Sequence, residues 1–394
     1  MKIAVLKEIR PFEARVAVSP ETVRKLIALG ATVTVEQGAG TAAAMTDGDY
    51  QKAGAEIAAT AVAATKGAEI ILKVQRPMVA GEEILGEDGK KSKSSQDELK
   101  LINKGALLIG LMSPYGGDHV ADYAKAGLTS FAMEFVPRIT RAQTMDVLSS
   151  QANLAGYRSV LDAAAYYGHA FPMMMTAAGT IPPAKVLIMG VGVAGLQAIA
   201  TARRLGAIVS ATDVRLATKE QVKSLGANFI AVENDESRQA ETAGGYAKEM
   251  SDDYKKQQAA LIAETIKKQD IVICTALIPG RKAPILVTKE MVASMKPGSV
   301  IVDLAVEQGG NCEGVKLGQV TEVGGVKILG FANVPSRLAA DASALYAKNL
   351  LAFLTPMIKD KKLAIPLEDE IIKASLLTHE GKVVHPNLAN LAGK

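Results

Sequence analysis

Short apolar runs alternate with amphipathic segments along the first third of the chain. Five runs have the length and composition of buried β-strands, and they lie at 3–6, 32–36, 70–74, 106–111 and 129–135. Between the first two runs, Ser19 is a favourable N-cap, Pro20 fits the first helical turn, and Gly30 follows the last apolar position, so a helix is expected there. The alternation predicts a mainly parallel sheet flanked by helices.

The alternation resumes after a long helical pattern at 146–167. Strand-like runs lie at 185–189, 208–212, 228–232, 271–275, 300–304 and 326–330, and helical patterns lie at 194–205, 218–225, 254–268 and 289–295. Their order is that of a doubly wound sheet. If the final helical pattern at 336–355 packs against the first set of strands, the chain has two α/β domains, 1–145 with 335–394 and 146–334.

Composition favours a globular protein of two domains with few reactive side chains. The 394 residues are 48% apolar and 22% charged, and the formal net charge of +4 arises from interspersed charges, so nucleic-acid binding is not indicated. The two cysteines and four histidines are scattered, which predicts neither a metal site nor a disulfide framework. The polar stretch 86–98 is expected to be a solvated loop.

Two stretches bear on location in the cell. The N-terminal apolar run is too short for a signal peptide. The most apolar stretch, 186–202, approaches the length of a membrane span, but its glycines and the following Arg203 and Arg204 fit a strand, a turn and a helix better. A cytoplasmic protein is therefore expected.

The glycines that follow strand 185–189 form a G-x-G-x-x-G motif at the start of a helix. Gly190 permits a tight turn, Gly192 lets the backbone approach a pyrophosphate, and Gly195 lets the helix pack close to the strand. The free N–H groups around Val193 and Ala194, at the positive end of the helix, can bind the diphosphate. The motif predicts that the second domain is a Rossmann dinucleotide-binding domain.

Residues at the ends of two further strands complete the expected cofactor site. Asp213 lies eighteen positions after Gly195, where a carboxylate can bind both adenosine ribose hydroxyls, so NAD(H) is favoured over NADP(H). Arg215 argues the other way, since it can pair with a 2′-phosphate, lie along the adenine or pair with a neighbouring acid. The remaining candidate contacts are Val214, Thr275, Ala276 and Leu277.

Two polar segments are candidates for the other end of the cofactor. The segment 138–150 is rich in hydrogen-bonding side chains, and residue types alone leave open whether it is a ligand site or a helix start capped by Asp146 or Thr144. The glycines Gly244 and Gly245 before Tyr246 predict a mobile loop that closes over a nucleotide, with a disordered connection as the alternative.

Five segments together resemble the NAD(H)-binding α subunit, or domain I, of proton-translocating NAD(P) transhydrogenases of the alanine dehydrogenase/transhydrogenase family. They are 138–150, 171–180, 190–195, 241–246 and 303–307. The resemblance implies hydride transfer from NADH on this subunit to NADP⁺ on a partner subunit, coupled to proton translocation by a membrane subunit with a proton channel. It also implies a homodimer, attached to the cytoplasmic face of the inner membrane through its partners.

By the same resemblance, the nicotinamide end is surrounded by Arg138, Gln143, Asp146 and Ser149, and Tyr246 belongs to the closing loop. Our hypothesis is that Gln143 and Ser149 orient the carboxamide while Arg138 and Asp146 form a charge pair that steers the ring. Hydride transfer between two nicotinamides requires no nucleophile, metal or general acid. The conspicuous motifs contain no Ser-His-Asp or Cys-His set.

Two other functions compete with this interpretation. Arg15 and Lys73 match positions that hold the substrate in alanine dehydrogenases, but the matching stretch 108–113 lacks the histidine that such enzymes use for acid–base chemistry. We therefore interpret Arg15 and Lys73 as inherited scaffold. The other alternative is an NAD-binding module that takes no part in chemistry.

Overall fold

The computed structural model describes residues 1–115, 119–240, 248, 250–278 and 280–388. It divides into two units, Met1–Gln151 with Ser336–Lys394 and Ala152–Pro335. Each unit is built on its own sheet, and the boundary between them falls within the long helix Val147–Tyr166.

The chain contributes strands and helices in the following order. The strands are β1 (Lys2–Val5), β2 (Thr32–Glu36), β3 (Glu56–Ala58), β4 (Ile70–Gln75), β5 (Glu83–Leu85), β6 (Lys91–Lys93), β7 (Leu107–Leu111), β8 (Thr129–Ala132), β9 (Met174–Thr176), β10 (Gly179–Ile181), β11 (Lys185–Met189), β12 (Ile208–Thr212), β13 (Asn228–Phe229), β14 (Ile271–Cys274), β15 (Val300–Asp303), β16 (Gln319–Val323), β17 (Val326–Gly330), β18 (Ile358–Lys359), β19 (Lys362–Leu363), β20 (Leu376–His379) and β21 (Lys382–Val383). The helices are α1 (Pro20–Ala28), α2 (Asp47–Lys52), α3 (Ala61–Thr65), α4 (His119–Lys125), α5 (Val147–Tyr166), α6 (Val193–Arg204), α7 (Lys219–Ser224), α8 (Asp235–Arg238), α9 (Asp252–Ile266), α10 (Lys289–Ser294), α11 (Ala339–Leu354) and α12 (Glu370–Ser375).

The sheet of the first unit has the strand order β21-β20-β8-β7-β4-β1-β2-β3. From β3 to β8 the neighbouring strands are parallel, and β20 adds to β8 in the antiparallel direction. Its central strands are nearly continuous apolar runs because helices cover both faces. The C-terminal part of the chain completes this sheet, and α11 packs with it: the Tyr346 hydroxyl donates to the Lys73 carbonyl oxygen at 2.8 Å.

The start of α1 follows the sequence prediction. The Ser19 side chain accepts a hydrogen bond from the Thr22 N–H, and the Thr22 hydroxyl accepts one from the Ser19 N–H, which forms a capping box. Pro20 occupies the first turn, and Gly30 follows the end of the helix with a φ of 93°. The predicted signals for this helix are confirmed.

The sheet of the second unit has the order β13-β12-β11-β14-β15-β17-β16. All pairs are parallel except the last, in which β16 lies antiparallel to β17. Strand order therefore reverses between β11 and β14, as in a doubly wound dinucleotide-binding sheet. The predicted fold class, two mainly parallel α/β domains of which the second is a Rossmann domain, is confirmed.

The stretch predicted as a solvated loop differs from that expectation in two ways. Strand β6 lies within it and pairs with β5 as a short antiparallel ribbon. Glu98, at its end, is buried beside Lys73, because the Lys73 ammonium requires a carboxylate inside the sheet. Among the described residues, no helix is long and apolar enough to cross a membrane.

Candidate nucleotide-binding site

The two strands at the reversal of the second sheet end beside each other. Gly190 follows β11, and its N–H donates to the Thr212 carbonyl oxygen of the neighbouring strand at 2.9 Å. Thr275 follows β14, and its hydroxyl donates to the Gly190 carbonyl oxygen at 2.8 Å. In open parallel sheets the crevice outside this point is where ligands bind.

The three glycines of the motif have different physical roles. Gly190 has a φ of 102°, a conformation that favours glycine. A Cβ on Gly195 would lie 1.9 Å from the Gly190 carbonyl oxygen, so helix α6 can approach the strand only because this residue has no side chain. A Cβ on Gly192 would meet no described atom within 4 Å. Gly192 is therefore open on the side where a phosphate would approach, so the cradle fits a dinucleotide.

The N-terminus of α6 has free backbone donors. Gly192 is its N-cap, and no side chain in the described part of the chain caps it. The N–H groups of Val193, Ala194 and Gly195 lie in the first turn, where helices lack internal acceptors. Helix α5 packs directly behind this turn: a Cβ on Gly156 would lie 2.1 Å from the Ala194 carbonyl oxygen. The sequence interpretation missed Gly156, since nothing in its surroundings distinguishes it from other helical glycines.

Asp213 is buried at the end of β12, with its carboxylate turned toward the glycine turn. Its Oδ2 atom accepts the Val191 N–H at 2.7 Å. Both carboxylate oxygens also accept from the Arg215 guanidinium, at 2.8 Å and 2.7 Å. Of the roles considered for Arg215, the structure shows the pairing with a neighbouring acid, and that acid is Asp213 itself. Val214 lies between them and is half-buried.

A buried carboxylate that the sequence interpretation left without a role holds the far side of the crevice. Asp303 accepts the N–H groups of Ala305, Asn311 and Cys312 at 2.7–2.9 Å. Asn311 in turn exchanges two hydrogen bonds with the backbone of Ala276, at 3.1 and 2.9 Å. These contacts fix the segment of Thr275, Ala276 and Leu277, in which Leu277 is exposed. Asn311 carries no sequence signal that would have identified it.

The polar segment 138–150 lies in the first unit, where it ends in the first turn of α5. Gln143 belongs to the 3-10 helix Thr140–Met145 and has an exposed side chain, as does Arg138. Asp146 precedes α5 and accepts the Ser149 N–H at 2.9 Å and the Ser149 hydroxyl at 2.6 Å. This carboxylate caps the helix, because the first-turn N–H groups lack acceptors within the helix. Gly245 and Tyr246 lie outside the described residues.

The two cations suggested by the alanine dehydrogenase alternative are already paired inside the first unit. The Lys73 ammonium is fully buried, 2.5 Å from Glu98 Oε1 and 3.3 Å from Glu8 Oε2. Arg15 is also buried and donates to both oxygens of Glu13 at 2.8 and 2.6 Å. An incoming substrate carboxylate would have to displace these internal acids.

Two of the carboxylates beside these cations, Glu8 and Glu13, have pKa values that are shifted in opposite directions. Burial raises the pKa of Glu8 to about 7, since the cost of desolvation exceeds the attraction of Lys73. Burial also acts to raise the pKa of Glu13, but the Arg15 guanidinium outweighs it and lowers that pKa to about 2. Glu8 thus gains a proton near neutral pH.

Comparisons with known proteins agree over nearly the whole chain. The alanine dehydrogenase/PNT N-terminal domain matches residues 4–155, and the C-terminal domain matches residues 159–386. A Rhodospirillum rubrum protein, named as the first portion of NAD(P) transhydrogenase subunit alpha, is 56% identical over 98% of this chain and 99% of its own length. A crystal structure of transhydrogenase from Sinorhizobium meliloti shares 56% identity with a TM-score of 0.86, covering 98% of this chain and 100% of that one. An alanine dehydrogenase of Methanococcus maripaludis is 30% identical over 99% of this chain and 96% of its own length.

Proposed function

Because this chain belongs to the alanine dehydrogenase/PNT family, we propose that it is the NAD(H)-binding component of a proton-translocating NAD(P) transhydrogenase. The resemblance inferred from its motifs is confirmed by these family models and by the transhydrogenase relatives. The finer proposal is that hydride passes from NADH on this chain to NADP⁺ on a partner subunit. A membrane subunit couples that step to proton translocation, and this chain is active only with its partners.

The observation that carries the nucleotide assignment is the cradle at the reversal of the second sheet. An open Gly192, an uncapped α6 N-terminus and a carboxylate at the end of β12 are the three elements a dinucleotide requires. We assign the pyrophosphate to Gly190, Gly192, Val193, Ala194 and Gly195. The adenosine side is assigned to Asp213, Val214 and Arg215, with Thr275, Ala276 and Leu277 on the opposite side of the crevice.

The nicotinamide end is assigned to Arg138, Gln143, Asp146 and Ser149, with Gly245 and Tyr246. The cofactor itself supplies the hydride, and this chain has to orient it and exclude water. The Ser149 hydroxyl donates its hydrogen to Asp146, so its oxygen lone pairs remain free to accept from the carboxamide N–H₂. Asp146 thereby fixes the direction in which Ser149 can accept, and Gln143 can supply the complementary donor.

Asp146→Asn tests this assignment in hydride exchange with an NADP(H)-binding partner domain. An amide at position 146 can point its own N–H₂ toward the Ser149 hydroxyl and turn that hydroxyl around. We expect turnover to fall by about 10–100-fold, the effect of losing a hydrogen bond to a charged group. Asp49→Asn is the control, because the Asp49 carboxylate also accepts a backbone N–H and a hydroxyl at a helix start, here from Thr46 at 3.0 and 2.6 Å. Unchanged turnover in Asp146→Asn would remove Asp146 from the mechanism.

The hydride-exchange assay and an assay of alanine-dependent NAD⁺ reduction separate the two competing functions. An NAD-binding module without chemistry would bind NADH but show no exchange with the partner domain. An alanine dehydrogenase would reduce NAD⁺ in the presence of alanine. We expect no alanine-dependent reduction of NAD⁺, because the cations that would hold the substrate, Arg15 and Lys73, are already paired with Glu13 and Glu98.

We further propose that the chain forms a homodimer, peripheral to the membrane on its cytoplasmic face through its partners. Strands β9 and β10 form a two-stranded sheet whose six residues are all exposed. Met174, Met175 and Ile181 present apolar side chains on it, with Met175 76% exposed, and the exposed Met173 directly precedes it. An isolated hairpin is marginally stable in water, so a second copy that covers this hairpin accounts for its composition.

A further inference from the structure

The carboxylate of Asp213 has no acceptor position left in this structure. Its Oδ1 atom accepts the Arg215 N–H at 2.9 Å and the Arg215 Nε–H at 2.8 Å. Its Oδ2 atom accepts the Arg215 Nη2–H and the Val191 N–H, both at 2.7 Å. An ionised carboxylate offers about four lone-pair positions. All of them are in use, three by Arg215.

Arg215 also reaches the glycine turn. Its Nη2 atom donates to the Val191 carbonyl oxygen at 3.2 Å, so one guanidinium joins the end of β12 to the residue between Gly190 and Gly192. The side chains of Arg215 and Asp213 are only 13% and 6% exposed, so solvent screens the pair weakly. Two parallel hydrogen bonds between a guanidinium and a carboxylate are among the stronger polar contacts in proteins.

We propose that Arg215 is an internal substitute for the adenosine ribose. In the free chain its guanidinium is hydrogen-bonded to the Asp213 carboxylate. These hydrogen bonds have to break before the ribose hydroxyls can bind Asp213. The proposal rests on the assignment of Asp213 to the ribose in the proposed function. Arg215 therefore weakens the binding of every ligand that carries an adenosine ribose with free hydroxyls.

The same residue affects the choice between NAD(H) and NADP(H). Asp213 repels a 2′-phosphate, but a displaced Arg215 remains within one side-chain length of the ribose and attracts that phosphate. The Asp213–Arg215 pair thus weakens the binding of NAD(H) and strengthens the binding of NADP(H), and so reduces the preference for NAD(H) that Asp213 alone would give. Removing the guanidinium should tighten binding of ligands without the 2′-phosphate and weaken binding of ligands with it.

Calorimetry with ADP-ribose and adenosine 2′,5′-bisphosphate tests the proposal without any hydride transfer. For Arg215→Leu we expect ADP-ribose to bind about tenfold more tightly, since two charge-assisted hydrogen bonds no longer compete. Adenosine 2′,5′-bisphosphate should bind more weakly than to the wild type. Arg158→Leu is the matched control, because Arg158 pairs with the buried Asp162 at 2.9 Å in the same unit, and both affinities should stay at wild-type values.

The outcomes separate this inference from the proposed function. Weaker or unchanged ADP-ribose binding by Arg215→Leu, with normal binding by the wild type, would overturn the substitution model and leave the nucleotide site intact. Absence of ADP-ribose binding by wild type and variant alike would instead overturn the nucleotide site, and this inference with it.

A measurement on the wild-type chain covers the case in which Arg215→Leu does not fold. The Nε–H resonance of Arg215, assigned by its loss in Arg215→Lys, should be protected from solvent exchange in the free protein. Saturation with ADP-ribose should abolish that protection. A resonance that stays protected in the complex would show that the pair persists, which contradicts the proposal.

Discussion

Glu8→Gln should remove much of the pH dependence of stability in the first unit. Glu8 is buried, with Lys73 at 3.3 Å, and Glu13 and Glu98 belong to the same cluster. Burial raises its pKa from 4.5 to about 7. The folded state therefore binds more protons than the unfolded state between these pH values, and stability falls as pH rises through that window.

The size of the effect follows from the rise in pKa. A rise from 4.5 to about 7 corresponds to about 3 kcal/mol of unfolding free energy lost between pH 4.5 and pH 8. Glutamine cannot ionise, but its amide oxygen can still accept the Val74 N–H that Glu8 accepts at 2.7 Å. Burial also raises the pKa of Glu134 to about 7, so the variant should lose only part of the wild-type slope.

Hydrogen exchange of peptides from β1 and β4, in increasing urea at pH 5 and pH 8, follows the first unit by itself. We expect the wild type to lose about 2.5 kcal/mol more than Glu8→Gln between pH 5 and pH 8, since part of the effect falls below pH 5. Glu69→Gln is the control, because Glu69 also accepts a backbone N–H but its side chain is 54% exposed. Equal losses in wild type and Glu8→Gln would refute the titration of Glu8 in this range.

Three further changes test the cradle, the buried cations and the hairpin. Gly195→Ala places a carbon 1.9 Å from the Gly190 carbonyl oxygen and should lower both the melting temperature and the affinity for NADH. Gly192→Ala should keep the wild-type melting temperature and bind NADH about tenfold more weakly. Normal NADH affinity in Gly192→Ala would contradict the assigned position of the phosphate. Lys73→Met leaves two carboxylates buried without their cation, so it should lower the free energy of unfolding by about 3–5 kcal/mol at pH 8 and by less at pH 5, as measured by urea unfolding. An equal loss at both pH values would argue against the pairing. Met175→Asp should convert dimers to monomers in analytical ultracentrifugation, and an unaltered dimer would exclude the hairpin as the interface.

The sequence pattern predicts the parts of the fold that are long and apolar. Strands β1, β4, β7 and β11 consist largely of buried apolar residues, and β2 buries its three central residues. The positions of these five strands agree with the predicted ones within a residue or two. Apart from β13, the strands of two or three residues were not predicted. Strands β16 and β20 were not predicted either: β16, QVTEV, is largely exposed at the edge of its sheet, and β20 joins the sheet by pairing with the distant β8. Long-range pairing of this kind leaves no local periodicity.

The candidate site, like the fold, was predictable from the sequence only where it is formed by neighbouring residues. The glycine motif was identifiable because its chemistry is local: a strand, a turn and a helix lie within about twenty residues. The partners of Lys73 and Ala276 were not, because each contact depends on how distant segments meet. Glu98, for instance, lies in a polar stretch typical of a surface loop, and only the folded sheet brings it to Lys73.

The antiparallel strand that completes the first sheet has a consequence for synthesis on the ribosome. Strand β20 pairs with β8, from which it is separated by roughly 240 residues of chain. Because translation proceeds at about 5–20 residues per second, β20 is synthesised about 12–50 s after β8. During that interval its backbone donors and acceptors are an open edge that another nascent chain can join. The second unit is continuous in sequence and can fold meanwhile, so expression hosts and temperatures that slow elongation should increase aggregation through β8.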